Sequence, residues 1–321
     1  MSQSRRRNDS TTTSQGAKTS LGTRILKEVR GYAEALVVAF LVVTFLFTTV
    51  GVVGSSMQPT LYGGKDHSHI LHSLLVGDRV FIPKYSTWLR RLGLQGPYAH
   101  GDIVVLREPK TSPDYLIKKQ QGCTETFLIN RCQPFFIKRV IGQPGDTVSI
   151  HAGQVLVNGT AIDQSFITAS GKVHIEPVQF PRIILRDGKP AALEIGFAHV
   201  AGINYPVVPT TQQPTGFLPL NDPRVQHYYG MLTGHIVVPD GAPDGTPVLA
   251  AFRIPKNRYF VMGDNRNPNG SEDSRFFGAV PANTIAGQAT AVIWPPVRDG
   301  RLNWRLLPPP RAFTAVNHGS N

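Results

Sequence analysis

An uncharged, apolar run from Ala35 to Val53 constrains the fold of this chain more than any other feature. It is long enough for a helix to cross the hydrocarbon core of a bilayer, which takes about 20 residues. The apolar region of a cleaved signal peptide is shorter, about 7–15 residues, so the run favours a retained anchor at residues 33–53. A cleaved leader is an alternative because Val52 and Gly54 are small enough to resemble a cleavage motif. A buried core helix is a second alternative.

Basic residues before this run predict its orientation. Because positively charged flanks stay on the cytoplasmic side, we expect residues 1–32 to form a cytoplasmic, basic and disordered segment. No later stretch is long and apolar enough to cross a bilayer again. The sequence therefore predicts one membrane span, with the N-terminus inside and the body outside. The basic residues before the run are Arg5, Arg6, Arg7, Lys18, Arg24, Lys27 and Arg30.

The net charge of +12 does not by itself indicate a nucleic-acid partner. Lys and Arg form no stripe interleaved with aromatic residues, and no helix-turn-helix or oligonucleotide-binding signature is present, so we expect no nucleic-acid binding.

Two cysteines, Cys123 and Cys132, lie close together in the chain. Outside the cytoplasm they could form a disulfide, but pairing depends on geometry that the sequence does not show.

The chain after the anchor reads as short strands separated by turns. Its 31 glycines and 26 prolines, with only 17% charged residues, indicate many turns and few long surface helices. Asn158-Gly159 between two apolar runs is a strong signal for a two-residue hairpin. We therefore predict a mainly β body. The predicted strands are Arg79–Pro83, Ile103–Arg107, Phe135–Ile141, Thr147–Ile150, Gln154–Val157, Thr160–Ile162, Arg258–Met262 and Gln288–Ile293.

Four segments contain residue types that are typical of a catalytic site. They are Ser55–Leu61 directly after the anchor, Gly101–Leu106, Phe136–Val148, and Met262–Arg266 continuing to Ser271–Arg275. Taken singly, each has a structural interpretation as a turn, an outward-facing sheet lysine or an ion-paired loop. Together, in this order behind one span, they resemble the type I signal peptidases of bacteria. The shared patterns are Ser-Met-x-Pro-Thr-Leu, Lys-Arg-x-x-Gly-x-Pro-Gly-Asp and Gly-Asp-Asn-Arg followed by Ser-x-Asp-Ser-Arg.

The resemblance extends from about Leu36 to Ile293. It implies an antiparallel β-sheet catalytic domain with a second β domain inserted, and neither a metal nor an organic cofactor. The expected domain boundaries are the catalytic domain at 54–162 and 256–296, the inserted β domain or extension at 163–255, and a C-terminal tail at 297–321.

The same resemblance places the nucleophile at Ser56 and the general base at Lys138. A serine hydroxyl is a poor nucleophile until a base removes its proton. Lysine can do so only when neutral, so burial must lower its pKa from about 10.4. Phe136 and Val140 alternate with Lys138 along the predicted strand and would exclude water from its ammonium. Another strand-like segment, Tyr115–Lys119, also ends in basic residues but lacks the Gly-x-Pro-Gly-Asp turn.

Further residues match positions that support this dyad in the family. The backbone N–H of Ser56 is expected in the oxyanion hole, whereas Gly54 has no hydroxyl to serve as a second donor. Ser271 matches the position that hydrogen-bonds the lysine. The remaining assignments are structural support by Asp264, Asp273, Arg275 and Arg139, and substrate binding by Met57, Pro59 and Ile137.

The implied activity is removal of signal peptides from exported preproteins after an Ala-x-Ala-like site. Ser56 lies three residues past Val53, so the nucleophile should be within about 10 Å of the end of the span. The expected location is the outer face of the bacterial inner membrane, and the expected partners are preproteins, the bilayer and the export machinery.

Other functions remain open. One alternative is a specialised Ser/Lys peptidase that matures a single pilin or conjugation protein, which the additional segment Tyr62–Leu75 would support if it narrowed the cleft. Another is a membrane-anchored binding protein without activity. Self-cleaving repressors share the dyad, but no DNA-binding domain is present. His67, His69 and His72 suggest either a metal site or a solvated loop. We favour the loop because no carboxylate or cysteine completes a catalytic metal site.

Overall fold

The computed structural model describes residues 21–64, 76–125, 132–200, 203–210, 214–268 and 270–318. The chain divides into two compact units, Met1–Phe45 and Leu46–Asn321. In the first unit, helix α1 spans Leu21–Leu41 and continues as a π-helical segment, Val42–Leu46, that crosses the unit boundary. Within the described residues, Ile25–Leu46 is the one helical segment that is long and apolar enough to cross a membrane.

This helical segment differs at both ends from the span that the sequence predicts. It ends at Leu46 rather than Val53, because Phe47–Gly51 forms strand β1 and pairs with the strand Arg79–Pro83. Val52 then enters the core, so the apolar residues at the end of the run serve the sheet instead of a bilayer. The expectation of disorder is wrong for residues 21–32, which are helical, while residues 1–20 lie outside the described residues.

The second unit is built from short antiparallel strands, which confirms the mainly β prediction. Its strands are β1 Phe47–Gly51, β2 Arg79–Pro83, β3 Ile103–Arg107, β4 Phe135–Gly142, β5 Thr147–His151, β6 Gln154–Val157, β7 Thr160–Ala161, β8 Arg182–Arg186, β9 Lys189–Val200, β10 Ile203–Val207, β11 Thr215–Pro219, β12 Ile236–Val237, β13 Pro247–Leu249, β14 Ala251–Arg253, β15 Arg258–Met262, β16 Val280–Pro281, β17 Ile285–Gln288, β18 Ala291–Trp294, β19 Val297–Arg298, β20 Arg301–Leu302 and β21 Arg305–Leu306.

The α-helices of this unit are short. They are α2 Lys84–Arg91, α3 Pro113–Gln120, α4 Ser165–Thr168, α5 Pro223–Thr233, α6 Ser274–Phe277 and α7 Thr314–His318, with 3₁₀ turns at Ala282–Thr284 and Arg311–Phe313. The segment Tyr115–Lys119, which looks like a strand in the sequence, lies in α3. The Ser112 side chain accepts a hydrogen bond from the Tyr115 backbone N–H, and Pro113 occupies the first turn, so local capping favours the helix.

Four larger sheets and one two-stranded ribbon organise the strands. The orders are β1-β2-β18-β21, β16-β15-β4-β3-β17, β12-β14-β5-β6-β7 and β10-β9-β8-β13 with β11 also on β9, while β19 and β20 form the ribbon. The predicted strand Gln288–Ile293 is in fact two strands. Gln288 pairs with β3 and Ala291 pairs with β2, so the chain passes from one sheet to another between them.

The segment 163–255 contributes to more than one sheet. Strands β8 to β11 and β13 form a sheet of their own, whereas β12 and β14 join the sheet of β5 to β7. Helix α5, which the sequence analysis did not predict, packs Tyr229 and Leu232 into the largest apolar cluster. The same cluster contains Phe313 and Val316, so the chain beyond residue 297 is not a free tail. The predicted domain boundaries themselves stay a prediction.

The sheet centred on β4 positions the catalytic candidates. Lys138 lies opposite Val104 on β3, and Arg139 lies opposite Met262 at the end of β15. A separate apolar cluster that includes Met57 and Ile137 packs between this sheet and the sheet of β1 and β2. The segment after β1 and the turn after β15 therefore meet at the same edge of the fold.

Candidate active site

A tight turn presents Ser56 to a cleft. Met57 and Leu61 are fully buried and anchor the turn in the apolar cluster beneath it. On the other side, the Asn265 backbone N–H donates to the Ser56 carbonyl at 3.1 Å, and the Asn265 side-chain amide donates to the Ser55 carbonyl at 3.2 Å. These contacts fix the backbone around Ser56 while its side chain stays accessible.

Lys138 meets Ser56 from the middle of β4. Its Nζ atom donates a hydrogen bond to Ser56 Oγ at 3.0 Å, although the two residues lie far apart in the sequence. This distance is within the range in which a base can take a proton directly from a hydroxyl. The Lys138 side chain is almost fully buried, with a relative exposure of 3% for the residue. The structure therefore brings together the two residues that the sequence predicts as nucleophile and base.

The surroundings of Lys138 favour its neutral form. Burial lowers its pKa from 10.5 to about 8; Asp273 and Glu272 oppose this shift, and Arg275 adds to it. Its Nζ atom lies 4.9 Å from the centroid of the Phe136 ring, one of the neighbours expected to exclude water. With a pKa of about 8, about a tenth of the lysine is neutral at pH 7, compared with a negligible fraction for an exposed lysine.

A buried ion pair and its hydrogen bonds join the four motif segments around the dyad. Arg139 Nε donates to Asp264 Oδ1 at 2.8 Å, Arg139 Nη2 donates to Asp264 Oδ2 at 2.5 Å, and Arg139 Nη1 donates to the Gly101 carbonyl at 2.6 Å. The Thr60 hydroxyl donates to Asp264 Oδ2 at 2.5 Å. Because Thr60 follows Ser56 and Arg139 follows Lys138, this pair ties the nucleophile segment to the strand of the base.

A second buried pair supports the other wall. Arg275 Nε and Nη2 donate to the two carboxylate oxygens of Asp273 at 2.8 and 2.9 Å, and the Gly263 backbone N–H donates to Asp273 Oδ2 at 2.9 Å. Burial alone would raise the pKa of Asp273, but Arg275 holds it below its ordinary value. Asp273 thus remains a negative charge near Lys138 and partly offsets the effect of burial.

Ser271 is placed at the site without the contact that the resemblance implies. Its hydroxyl oxygen is buried and has no hydrogen-bond partner among the described atoms, so the expected bond to Lys138 is not formed. Ser271 Oγ lies against Gly263, where an added Cβ would be only 2.1 Å from it, so this position has room only for glycine. The Lys138 amine instead donates to Ser56.

The oxyanion hole has one predicted donor, and Gly54 does not supply a second. Gly54 has a φ of +79°, a left-handed conformation that favours glycine, so a residue with a hydroxyl would be strained at this position. No atom lies within 4 Å of the position of an added Cβ, so the space beside Gly54 is open. The backbone N–H of Ser56 stays the predicted donor, and a second donor is not identified.

A cleft of about 520 Å³ contains the dyad. Of the residues predicted to bind substrate, Met57 and Ile137 line this cleft and Pro59 does not. One wall is formed by the end of β1 and the residues after it, and the other by the first half of β4. β1 is an edge strand of its sheet as described, so its outer backbone groups are available to an extended peptide.

Sequence reasoning assigned no role to Asn265 and Arg266. Arg266 is buried, donates from Nε to the Gly263 carbonyl at 2.8 Å and from Nη1 to Gln164 Oε1 at 2.7 Å, and burial lowers its pKa to about 10. It therefore ties the turn after β15 to α4. Both residues belong to the Gly-Asp-Asn-Arg motif, which was the available signal.

The cysteine pair and the histidine cluster are the remaining features that the sequence analysis left open. Cys123 and Cys132 form a disulfide, which settles the question that the sequence left open. The histidines His67, His69 and His72 lie outside the described residues, and the described residues contain no group of acidic, His or Cys side chains suited to a metal ion.

Comparison with known proteins identifies the family. A family model described as "Signal peptidase, peptidase S26" matches residues 26–294. The chain belongs to this signal peptidase family. It is accordingly a serine peptidase, a hydrolase.

The similarity to individual signal peptidases is distant but extends over most of the chain. Signal peptidase I S of Bacillus subtilis (strain 168) is 24% identical over 271 residues, 84% of this chain and 90% of that protein. Signal peptidase IB of Staphylococcus aureus (strain COL) is 26% identical over 272 residues, with the same coverage. The crystal structure of a signal peptidase I from Enterococcus faecalis V583 covers 61% of this chain and 98% of its own, with 19% identity and a TM-score of 0.28.

Proposed function

We propose that this serine peptidase removes N-terminal signal peptides from exported preproteins, with Ser56 as nucleophile and neutral Lys138 as general base. The observation that carries the proposal is the 3.0 Å hydrogen bond from Lys138 Nζ to Ser56 Oγ within an accessible cleft. The names of the relatives, which are signal peptidases I, support the choice of substrate.

The first half of the proposed reaction forms an acyl-enzyme. Ser56 Oγ attacks the scissile carbonyl carbon while neutral Lys138 takes the hydroxyl proton. The carbonyl oxygen becomes an oxyanion and is stabilised by the Ser56 backbone N–H. The C–N bond then breaks, and the Lys138 ammonium gives its proton to the leaving amine, which is the new N-terminus of the mature protein.

The second half releases the signal peptide. Lys138, neutral again, takes a proton from a water molecule that attacks the acyl carbon, and the ester bond to Ser56 breaks as Lys138 returns the proton to Ser56 Oγ. Each proton that Lys138 accepts is therefore given up within the same half-reaction. No metal or cofactor enters this scheme.

The proposed location is the outer face of the bacterial inner membrane. Residues 47–55 separate the candidate span Ile25–Leu46 from Ser56, and most of them form β1 and the cleft wall. A signal peptide presents its cleavage site just beyond its own apolar region, at a similar depth. We further propose that the substrate lies extended along the edge of β1, with small side chains at two alternating positions, and that the export machinery delivers it.

Purified full-length chain tested against several unrelated preproteins checks this proposal. We expect cleavage of most of them after an Ala-x-Ala-like site. Cleavage of a single pilin-like or conjugation-related precursor would instead support the specialised peptidase, and cleavage of none would contradict the proposed activity. Ser56→Ala, prepared in parallel, shows whether any observed cleavage comes from this chain.

A further inference from the structure

A second cavity, of about 750 Å³, lies apart from the dyad and is strongly basic. Four cationic side chains line it: Arg90 and Arg91 at the end of α2, Lys256 just before β15, and Arg258 at the first position of β15. None of the four forms an ion pair with a carboxylate in the described part of the chain. No Asp or Glu lines the cavity.

Arg90 is held at the cavity wall by its neighbours. Its guanidinium lies 4.4 Å from the centroid of the Tyr98 ring, and its Nη2 donates to Gln288 Oε1 at 3.2 Å. Its Nε is buried and has no hydrogen-bond partner among the described atoms. The nearby Asp102 carboxylate already accepts from the Ala99 backbone N–H and from Gln288. Because no carboxylate lines the cavity, a ligand with several anionic oxygens, such as phosphate, would complement the charge of its four cations.

Exposed apolar residues lie next in sequence to the cavity residues of α2 and of the segment after it. Helix α2 and the residues after it leave Trp88 and Leu89 partly exposed, and Leu92 and Leu94 are each 72% exposed. Arg91 lies with its guanidinium 5.7 Å from the Trp88 ring, so cationic and apolar groups are adjacent on one short segment. Such a combination is typical of segments that lie in the interface of a bilayer, with Trp and Leu in the apolar layer and Arg beside phosphate.

Strand pairing places the start of α2 close to the end of the candidate span. Leu46 is the last residue of the span, and Phe47 follows it directly as the first residue of β1. Phe47 pairs with Pro83, and α2 begins at the next residue, Lys84. Helix α2 therefore starts beside the first residue that leaves the span.

We propose that this basic cavity binds the phosphate headgroup of an anionic phospholipid whose acyl chains lie against the exposed apolar residues of α2. The cations of the cavity complement the charge of a phosphate, and the exposed apolar residues beside them in sequence can contact acyl chains. The register of β1 with β2 brings the start of α2 next to the first residue after the span. The inference rests on the membrane location in the proposed function, and it adds a specific lipid site on the catalytic body to the membrane span.

Thermal unfolding of the full-length chain in nonionic detergent micelles tests the site without any substrate. Phosphatidylglycerol is titrated into the micelles, and the shift of each protein's unfolding midpoint from its own lipid-free value gives an apparent affinity. Phosphatidylcholine and sn-glycerol 3-phosphate are the comparison ligands. We expect phosphatidylglycerol to raise the midpoint, and neither comparison ligand to do so in the same concentration range.

The test variant is Arg91→Gln with Lys256→Gln, since both residues line the cavity and are exposed. The control is Arg186→Gln with Lys189→Gln, two exposed residues on the β8–β9 hairpin with the same change in charge. We expect about 25-fold weaker phosphatidylglycerol binding in the test variant, from the loss of two cations that each strengthen binding about fivefold. The control should match the wild type.

Several outcomes would overturn the proposal. Equal effects of phosphatidylglycerol and phosphatidylcholine would remove the headgroup specificity, and equal weakening in the two variants would show a general charge effect. Binding of glycerol phosphate as tight as that of the lipid would assign the cavity to a soluble phosphate compound. Because the assay involves no cleavage, a chain that binds lipid but processes no preprotein would contradict the proposed function alone.

Discussion

Replacing Lys138 by Met should stabilise the fold at neutral pH while abolishing activity. The pKa of Lys138 is lowered from 10.5 to about 8, a shift of roughly 2.5 units. At 1.36 kcal/mol per unit, the charged form destabilises the folded state by about 3 kcal/mol at pH values below 8. Met has a similar length and no charge to desolvate, and Asp273 keeps Arg275 as its ion-pair partner in the variant.

The pH dependence distinguishes this cause from a general packing effect. The folded pKa lies below the unfolded one, so between about pH 8 and 10.5 the unfolded state binds more protons than the folded state. Wild-type stability should therefore rise, relative to the variant, as pH increases through this window. The advantage of Lys138→Met should be largest below pH 8 and should shrink by about 3 kcal/mol toward pH 10.5.

Urea unfolding of the full-length chain in nonionic detergent, followed by tryptophan fluorescence at a series of pH values, measures this difference. Lys189→Met, at an exposed position, is the matched control and should show no pH-dependent difference from the wild type. A difference between wild type and Lys138→Met that stays constant from pH 7 to pH 10.5 would refute the lowered pKa.

The other predictions concern the nucleophile, the pH profile and the topology. Ser56→Ala should abolish processing of a preprotein without unfolding the chain, whereas Ser55→Ala should keep most activity; the reverse result would mean that the motif is misaligned. In the wild type, kcat/KM should fall as pH drops through about 8, because the base must be neutral, and a profile flat to pH 6 would argue against Lys138. An export-dependent phosphatase fused after residue 321 should be active, whereas activity only in a fusion at residue 20 would invert the proposed orientation.

The sequence predicted strands best where local pattern and tertiary pairing agree. Arg79–Pro83 and Ile103–Arg107 were found with their observed bounds. The segment Tyr115–Lys119 resembles a strand because a short apolar run has no distinctive period, and the helix cap at Ser112 lies outside the run. The end of the span was misplaced because Phe47–Gly51 is apolar whether it meets lipid or pairs with β2.

In the candidate site too, the motifs predict which residues take part, whereas their burial and contacts depend on tertiary packing. The pairing of Ser56 with Lys138 follows from motifs, but the burial that lowers the pKa of Lys138 depends on how strands pack. The motif places Ser271 at the site but does not show which atoms its hydroxyl meets there. The basic cavity could not be predicted, since its cations come from segments that lie far apart in the sequence.

The turnover of Lys138→Arg tests the proposed dyad most directly. Arginine keeps the positive charge and stays protonated, so it cannot accept the Ser56 proton. Lys118→Arg and Lys119→Arg are the controls, because both residues lie in α3 and neither hydrogen-bonds Ser56. With a peptide that carries Ala at the two recognition positions, we predict no measurable turnover for Lys138→Arg and near-normal turnover for both controls. Near-normal turnover by Lys138→Arg would contradict the assignment of Lys138 as the base.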